Sequence, residues 1–496
     1  MKLSIIISLF ACTLATGCSK YINEPDHSVL PTEMLVNSAR DLDNLLYGAY
    51  GTLANDNTLA GNWKLFPEIM ADHVVLNVSE PTTADPYTEL YNRNMSAAQY
   101  ADNWQQAYTA IQNANTVLYA LENNMITKEK DPEFSESTQN RIKGEALFIR
   151  GIVHFELLRL YGHQYGHNST AAQSGVVLRT KAVLNVTTPE EIIGVQRATV
   201  EETYQQVIKD LKEAEALLPL QPSRRGRATV YAAAAYLARV YFQKNDYPNA
   251  LLQINKVLGA TPGKIETEFR LVRSPAIGKL TKAQAEANVL AAFNSTGTSV
   301  KVSENIFDLV SVTGYAANGA ISRKYLRTGT IAPHFAISEA MLADADFAST
   351  DARVTRLITK AGGKSYSRKF DRSLMNIPVL RSVELLLDRA EIFALQGNTE
   401  DAARDINYIR YRAIPNYDSA TVIAPADILA EVRKERVREL CLEGDRLHDL
   451  RRRQADIGPG DRTGGVLPLP WNSNSLLFKI PDAEMKVSTG MDQNPD

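Results

Sequence analysis

The residue best placed for covalent chemistry in this 496-residue chain is Cys18, one of three cysteines. It follows Leu14-Ala15-Thr16-Gly17. Lys2 and an apolar run from Leu3 to Leu14 precede it; at about a dozen residues the run falls short of the ~20 that a helix needs to cross a bilayer. It reads as the apolar part of an export signal. The small residues before Cys18 would admit a signal peptidase and leave its thiol to take a lipid. We therefore expect a signal over residues 1–17, lipidation at Cys18, and an anchor and tether over 18–40, where Ser19 to Pro31 is polar and contains prolines. An ordinary cleaved signal with an incidental cysteine is the alternative, and Cys12 has too little apolar chain before it to compete.

Other reactive constellations fall short of what their chemistry requires. Gly363-Lys364-Ser365 lacks the earlier glycine that lets a phosphate loop wrap its ligand, since Ile358 stands there. His163 and His167 are four apart but separated by Gly166 and preceded by Gly162, which favours a surface loop over a metal-binding helix turn. Cys441 falls in a helical pattern without a histidine positioned to activate it, and no serine sits in a G-x-S-x-G elbow. A carboxylate pair for glycoside hydrolysis is a spatial arrangement that the sequence neither reveals nor suggests. We expect no catalytic residue, no metal and no cofactor.

Binding makes other demands. Sugars present flat C–H faces ringed by hydroxyls, which aromatic platforms edged with Asn, Asp or Arg accommodate. The chain has 21 Tyr and 3 Trp. Its loop aromatics are Trp63, Tyr87, Tyr91, Tyr315, Tyr325 and Trp471, with Asp85, Asn92, Arg93, Asn318 and Arg323 near them in sequence. Trp104 begins a helical pattern and reads as core.

The elements that must position these residues are mainly helices. In "RIKGEALFIRGIVHFELLRLYG", Ile142, Ala146, Ile149, Val153, Leu157 and Leu160 recur at steps of three and four and form one apolar stripe. Similar patterns run from Asp102 to Leu121, Val200 to Leu218, Ala228 to Gln243, Pro248 to Leu258, Arg381 to Gln396, Thr399 to Ala413 and Ile428 to Glu443. Two pairs share a tetratricopeptide register: Ala238, Tyr241, Ala250, Ile254 and Val257, then Ala390, Phe393, Ala402, Ile406 and Ile409. Small residues there let two helices approach closely. The pattern fails from Thr261 to Ile377 and again after Gln454, so the binding surface is expected on irregular chain in these stretches. A net charge of −3 argues against nucleic acid. The basic run Arg451-Arg452-Arg453 reads as part of a solvated, salt-bridged helical face.

In "EVRKERVRELCLEGDRLHDLRR", Val432, Arg436 and Leu440 are spaced by four, which puts a charge on an apolar face. Glu391, Glu443 or Asp445 could each pair with Arg436. Glu435, Arg436, Asp445, Arg446 and Asp449, with Glu391, read as a structural ion network.

The whole chain resembles the SusD/RagB family of surface-exposed nutrient-binding lipoproteins. The resemblance rests on the Cys18 region, "EALFIRGIVHFELLRLYG", "RATVYAAAAYLARVYF", "VELLLDRAEIFALQG" with "INYIRYRA", the "ERVREL" segment, and the terminal "FKIPDAEM…DQNPD". It implies a mainly α fold: a tetratricopeptide-repeat scaffold of about four helix pairs with a loop-rich, irregular ligand-binding half. It further implies no catalysis, attachment to the outer membrane through the lipid, and a lid role on a SusC-like TonB-dependent transporter. On that basis the chain divides into a SusD-like region with repeat helices (41–260), a variable loop-rich region (261–380) and a C-terminal SusD/RagB region (381–496). Three readings stay open: oligosaccharide capture, peptide capture as the RagB branch implies, and a tetratricopeptide adaptor that binds only protein.

Overall fold

The computed structural model describes residues 36–77, 86–96, 99–184, 195–273, 279–328, 332–418, 420–463 and 466–495. The expected signal, Cys18, the tether up to residue 35, and Asp85 lie outside the described residues.

The described chain is mainly helical. In order it forms α1 (Ala39–Leu53), α2 (Asn62–Met70), β1 (Val74–Leu76), α3 (Pro86–Tyr91), α4 (Ala101–Glu122), α5 (Glu136–Tyr161), α6 (Val200–Leu217), α7 (Val230–Gln243) and α8 (Tyr247–Leu258). There follow α9 (Lys282–Ala291), β2 (Asn305–Leu309), α10 (Gly319–Tyr325), β3 (Phe335–Ile337), α11 (Glu339–Ala345), α12 (Ala352–Leu357), β4 (Ile358–Ala361), β5 (Lys364–Ser367) and β6 (Ile377–Arg381). The chain continues with α13 (Ser382–Leu395), α14 (Thr399–Ala413), α15 (Ile428–Leu440), α16 (Arg446–Arg452) and α17 (Asp482–Val487).

Side-chain caps fix where the scaffold helices begin. Ser38 and Asp41 form a capping box on α1, Thr199 and Glu202 form one on α6, and Asp246 with Pro248 opens α8. Helices α1, α4, α5, α6, α7 and α8 pack in chain order, and α8 then meets α13, which packs on α14 and α15. This is the tetratricopeptide-like scaffold. Every residue of the two repeat registers is buried, with Ala238, Ala250, Ala390 and Ala402 fully so. Arg389, also fully buried, donates to both carboxylate oxygens of Asp405 at 2.7 Å and to the carbonyls of Gly259 and Thr261, so it ties α13, α14 and the end of α8 together.

The stretch from Thr261 to Ile377 is less irregular than its composition suggests. A four-stranded antiparallel sheet runs in the order β1-β3-β5-β4, and β2 pairs with β6. Gly362 and Gly363, both at positive φ, form the turn between β4 and β5, so Gly363-Lys364-Ser365 is a hairpin and not a phosphate loop.

One sequence expectation is overturned by burial. Arg451 and Arg452 are each 2 % exposed, so the basic run is not a solvated face. Arg452 pairs with Glu391 and Asp449, while Arg451 donates to the carbonyls of Arg159 and Gly162. Periodicity locates a polar stripe but cannot tell water from the carboxylates and carbonyls of other helices. Helix α15 also ends three residues before the expected Glu443. Lys369 Nζ binds the carbonyls of Glu439 and Cys441 at 2.6 and 2.9 Å, a cation capping the helix C-terminus. Cys441 is buried at that end, and burial raises its thiol pKa.

Candidate functional site

Outside the repeat helices, an aromatic and polar surface assembles from chain segments far apart in sequence. At one end, Tyr315 is 38 % exposed and its hydroxyl donates to the Ala54 carbonyl at 2.6 Å, which pins the ring at the end of α1. Burial raises the phenol pKa, with Asp56 adding to the effect. Asp56, in the α1–α2 turn, forms an exposed ion pair with Arg323 on α10. Lys324, next on that helix, sits 3.7 Å over the centre of the Tyr87 ring and 3.5 Å from His334 Nδ1. The Tyr87 hydroxyl donates to Asn62 Oδ1 at 2.8 Å, and its ring meets His334 edge-on at 5.8 Å. The surface continues through Asn77, whose side chain links the Pro333 carbonyl, Tyr366 and Lys364.

The residues singled out from sequence separate into those on this surface and those that hold it up. Tyr87, Tyr315 and Arg323 are on it. Trp63 is not a loop residue: it lies on α2, 2 % exposed, and lines an interior polar cavity of about 50 Å³ with Lys64, Glu384, Asp388 and Arg436. Tyr91 is buried at the end of α3, its ring 4.2 Å from the Arg462 guanidinium carbon. Tyr325 is buried on α10. Asn318 is 3 % exposed, and its amide donates to the carbonyls of Phe370 and Arg372. Arg93 donates to the carbonyls of Met70 and Gly458, so it fastens a loop to the end of α2. Asn92 is exposed beside it. Trp471 is half-buried against His167, with ring centres 5.7 Å apart, and makes no ring contact with Tyr87 or Tyr315. His163 and His167 meet edge-on, with ring centres 5.5 Å apart, beyond the end of α5. Among the described residues no group of His, Cys, Asp and Glu is arranged to hold a metal.

Sequence reasoning did not pick out Asp56, Asn77, Lys324, His334 or Tyr366, and weighed Lys364 only as part of a phosphate loop. Asp56 had a readable signal, because "NDN" marks the turn between two helices. Asn77, His334, Lys364 and Tyr366 are brought together by the β1-β3-β5 pairing, and Lys324 reaches them from α10.

The buried charges behind the surface form several linked groups. Arg436 makes a bidentate pair with Asp445, at 2.6 and 2.8 Å, and reaches Asp388 at 2.6 Å; Asp388 was not among its expected partners. Glu391 pairs with Arg452 and Glu443 with Lys369 and Arg381, so neither serves Arg436. Arg446 binds Asp72 through two 2.7 Å bonds. Glu435 belongs to a separate cluster, where it accepts from Arg353, Arg410 and Arg438 at 2.6, 2.7 and 3.0 Å. Glu68 Oε1 accepts from the backbone of Gly444 and Asp445 at the start of α16. Gly444 is at φ +85°, and a Cβ there would lie 2.7 Å from Lys64 Cα. Arg462 donates to the carbonyls of Ile69, Ala71 and Tyr91, which holds the ends of α2 and α3 under the surface.

Comparison with known proteins places this arrangement. Residues 20–242 match a SusD-like family model described as starch-binding associating with outer membrane, and residues 338–496 match that of the SusD family. The chain belongs to the SusD/RagB family. Among curated proteins it is 24 % identical over 281 residues to SusD-like protein P25 of Formosa agariphila, covering 55 % of this chain and 49 % of that protein. It is also 24 % identical over 251 residues to SusD-like protein P2 of the same organism, covering 50 % and 44 %. The matched stretch thus spans about half the length of these relatives or less. A SusD superfamily protein of Bacteroides thetaiotaomicron superposes with a TM-score of 0.78 at 22 % identity, over 92 % of this chain and 100 % of that one. A SusD-like carbohydrate binding protein of Bacteroides vulgatus does so at 0.70 and 20 % identity, over 92 % and 98 %. These superpositions establish the shared fold.

Proposed function

We propose that this chain is a lipid-anchored, surface-exposed outer-membrane protein that captures oligosaccharide and passes it to a SusC-like TonB-dependent transporter. The observation that carries the reading is the tyrosine surface of a SusD/RagB fold. Tyr315 offers an exposed ring whose orientation is fixed by its own hydroxyl. The exposed Asp56–Arg323 pair beside it supplies an acceptor and a donor to sugar hydroxyls. The protein acts by binding and release, with no bond made or broken. The repeat helices provide a rigid back against the transporter, and modest affinity suits a carrier that must let go.

One observation favours peptide as a second reading. The hydroxyls of Tyr87 and Tyr315 both donate within the protein, and Trp63 and Trp104 are buried, so charged Asp56 and Arg323 dominate the exposed polar contacts. Affinity electrophoresis of the full chain against plant, host and microbial polysaccharides, with oligopeptide titrations in parallel, separates the two. Retardation by a glycan supports the proposal. Saturable peptide binding without retardation replaces it with the second reading. Association with a transporter and neither ligand identifies a protein adaptor.

A further inference from the structure

A cavity of about 500 Å³ opens between α11, α15 and the chain after α16, and it shares no lining residue with the tyrosine surface. Helical spacing builds two of its walls. Ala430, Arg433, Lys434 and Val437 stand three and four residues apart on α15 and so share one face, while Arg446 and Arg453 are two turns apart on α16 and its C-cap. Asp344 on α11 and Asp72 before β1 also line it, so four cationic side chains face two carboxylates.

These arginines differ from those buried behind them in keeping donors within reach of the cavity. The side chains of Arg433, Arg446 and Arg453 are 34 %, 18 % and 13 % exposed. Arg446 engages Asp72 through Nε and Nη2, Arg453 pairs with Asp449 through Nη2 at 3.0 Å, and Arg433 Nε stands 3.6 Å from Glu391, too far for a hydrogen bond. Among the described residues, nothing accepts from Arg446 Nη1, from Arg453 Nη1 or from either Nη of Arg433. Glu391 and Asp449 do not offset these charges alone, because each is also bound by Arg452. The crowding registers on Arg453: burial lowers its pKa, and Arg433 and Arg446 lower it further against the pull of Asp449 and Glu391. Asp344 is exposed, and its carboxylate makes no ion pair or hydrogen bond among the described residues.

We propose that this cavity is a second ligand site, which takes an acidic sugar unit: a pyranose ring carrying one carboxylate or one ester sulfate. Three features of the lining select it. The open Nη donors, held in place by the ion pairs of Arg446 and Arg453, form charge-assisted hydrogen bonds to an oxyanion. Asp344 accepts from ring hydroxyls and repels the anionic group, which turns that group towards the arginines. Ala340, Ala430, Val437 and Pro459 are exposed or half-buried and offer an apolar wall to the C–H face of the ring. A cationic ligand would meet four like charges, and a wholly apolar one would strip water from the guanidinium groups without replacing it. The volume falls within the ~300–1,000 Å³ usual for small-molecule sites. Because its ligand class follows from its own lining, this site stands or falls separately from the tyrosine surface.

The test is saturation-transfer NMR titration of the full chain with methyl glucuronopyranoside and glucose 6-sulfate, set against methyl glucopyranoside, sodium acetate and sodium sulfate. We expect at least one acidic sugar to saturate with a Kd on the order of millimolar, and the neutral sugar and the simple anions to bind roughly tenfold more weakly or worse. The acidic sugar that binds more tightly tells carboxylate from ester sulfate. Arg433→Gln should weaken binding roughly tenfold. Ala430→Trp, which fills the cavity from an exposed position on α15, should do the same, and Tyr315→Ala should leave it unchanged. The proposal is overturned if neither acidic sugar saturates, if the neutral sugar or a simple anion binds as tightly, or if binding survives both cavity variants. Binding lost on Tyr315→Ala would assign it to the tyrosine surface and overturn the proposal equally.

Discussion

Substituting Glu435 with Gln tests whether the buried ion clusters hold the fold together. Glu435 is fully buried on α15 and accepts from Arg353, Arg410 and Arg438. Burial alone would raise its pKa, but the three guanidinium groups outweigh that and hold it at about 2, against 4.5 for a free carboxyl. At ~1.36 kcal/mol for each tenfold change, ionised Glu435 contributes about 3 kcal/mol to the folded state at neutral pH. Removing one partner of a buried pair costs ~3–5 kcal/mol, in agreement. The amide also points an N–H at a guanidinium that needs an acceptor. Because the folded-state pKa is depressed, the contribution is complete above 4.5 and is lost as pH falls through about 2. Urea unfolding of both proteins should therefore show Glu435→Gln less stable by about 3 kcal/mol at neutral pH, and by less than half of that near pH ~3. A neutral-pH deficit below about 1 kcal/mol would refute the reasoning, as would one that does not shrink in acid.

Lys64 gives the opposite pH behaviour. Burial depresses its ammonium pKa to about 8 despite Glu443 nearby, so between about 8 and 10.5 the unfolded chain binds the proton more readily than the folded one. Urea unfolding should show the parent gaining stability relative to Lys64→Met across that window, and a constant difference would contradict the assignment. Ala390→Leu overfills the α13–α14 contact and should cost about 1–3 kcal/mol, read as a lower unfolding midpoint with the helical circular dichroism retained; an unchanged midpoint counts against close packing there. Arg462→Ala removes donors from the carbonyls of Ile69, Ala71 and Tyr91. Limited proteolysis should then cut faster between residues 454 and 468, while equal rates would show that the arginine does not hold this loop.

The repeat scaffold was readable because its helices are long and their apolar positions recur. The span expected from Thr399 to Ala413 is the one observed, and the observed α4 extends the expected span by one residue at each end. Helices α1 and α2 were missed: α2 is only nine residues long, contains Pro67 and buries its polar residues with its apolar ones, so the sequence reads as no helix. Strands of three to five residues are too short for alternation to register. Arg436 was legible as a charge in need of a partner, yet Asp388 comes from a helix about fifty residues away, and spacing within α15 could not select it. The same limit applies to the surface. Tyr87, Tyr315 and Arg323 stood out by residue type, whereas Lys324 over Tyr87 and His334 against its edge depend on how α3, α10 and β3 meet. Trp63 misled because it follows Gly61 and lies outside every helical pattern read from the sequence, so it reads as a loop residue.

Capture of the nutrient by the tyrosine surface is tested most directly by a calorimetric titration of the glycan that retards the parent chain. The titrated proteins are the parent, Tyr315→Ala with Arg323→Ala, and Glu435→Gln at a temperature where it remains folded. The surface pair should lose binding by tenfold or more, while Glu435→Gln, whose damage lies in the scaffold, should bind like the parent. Unchanged affinity in the surface pair, with the fold intact, would contradict the claim.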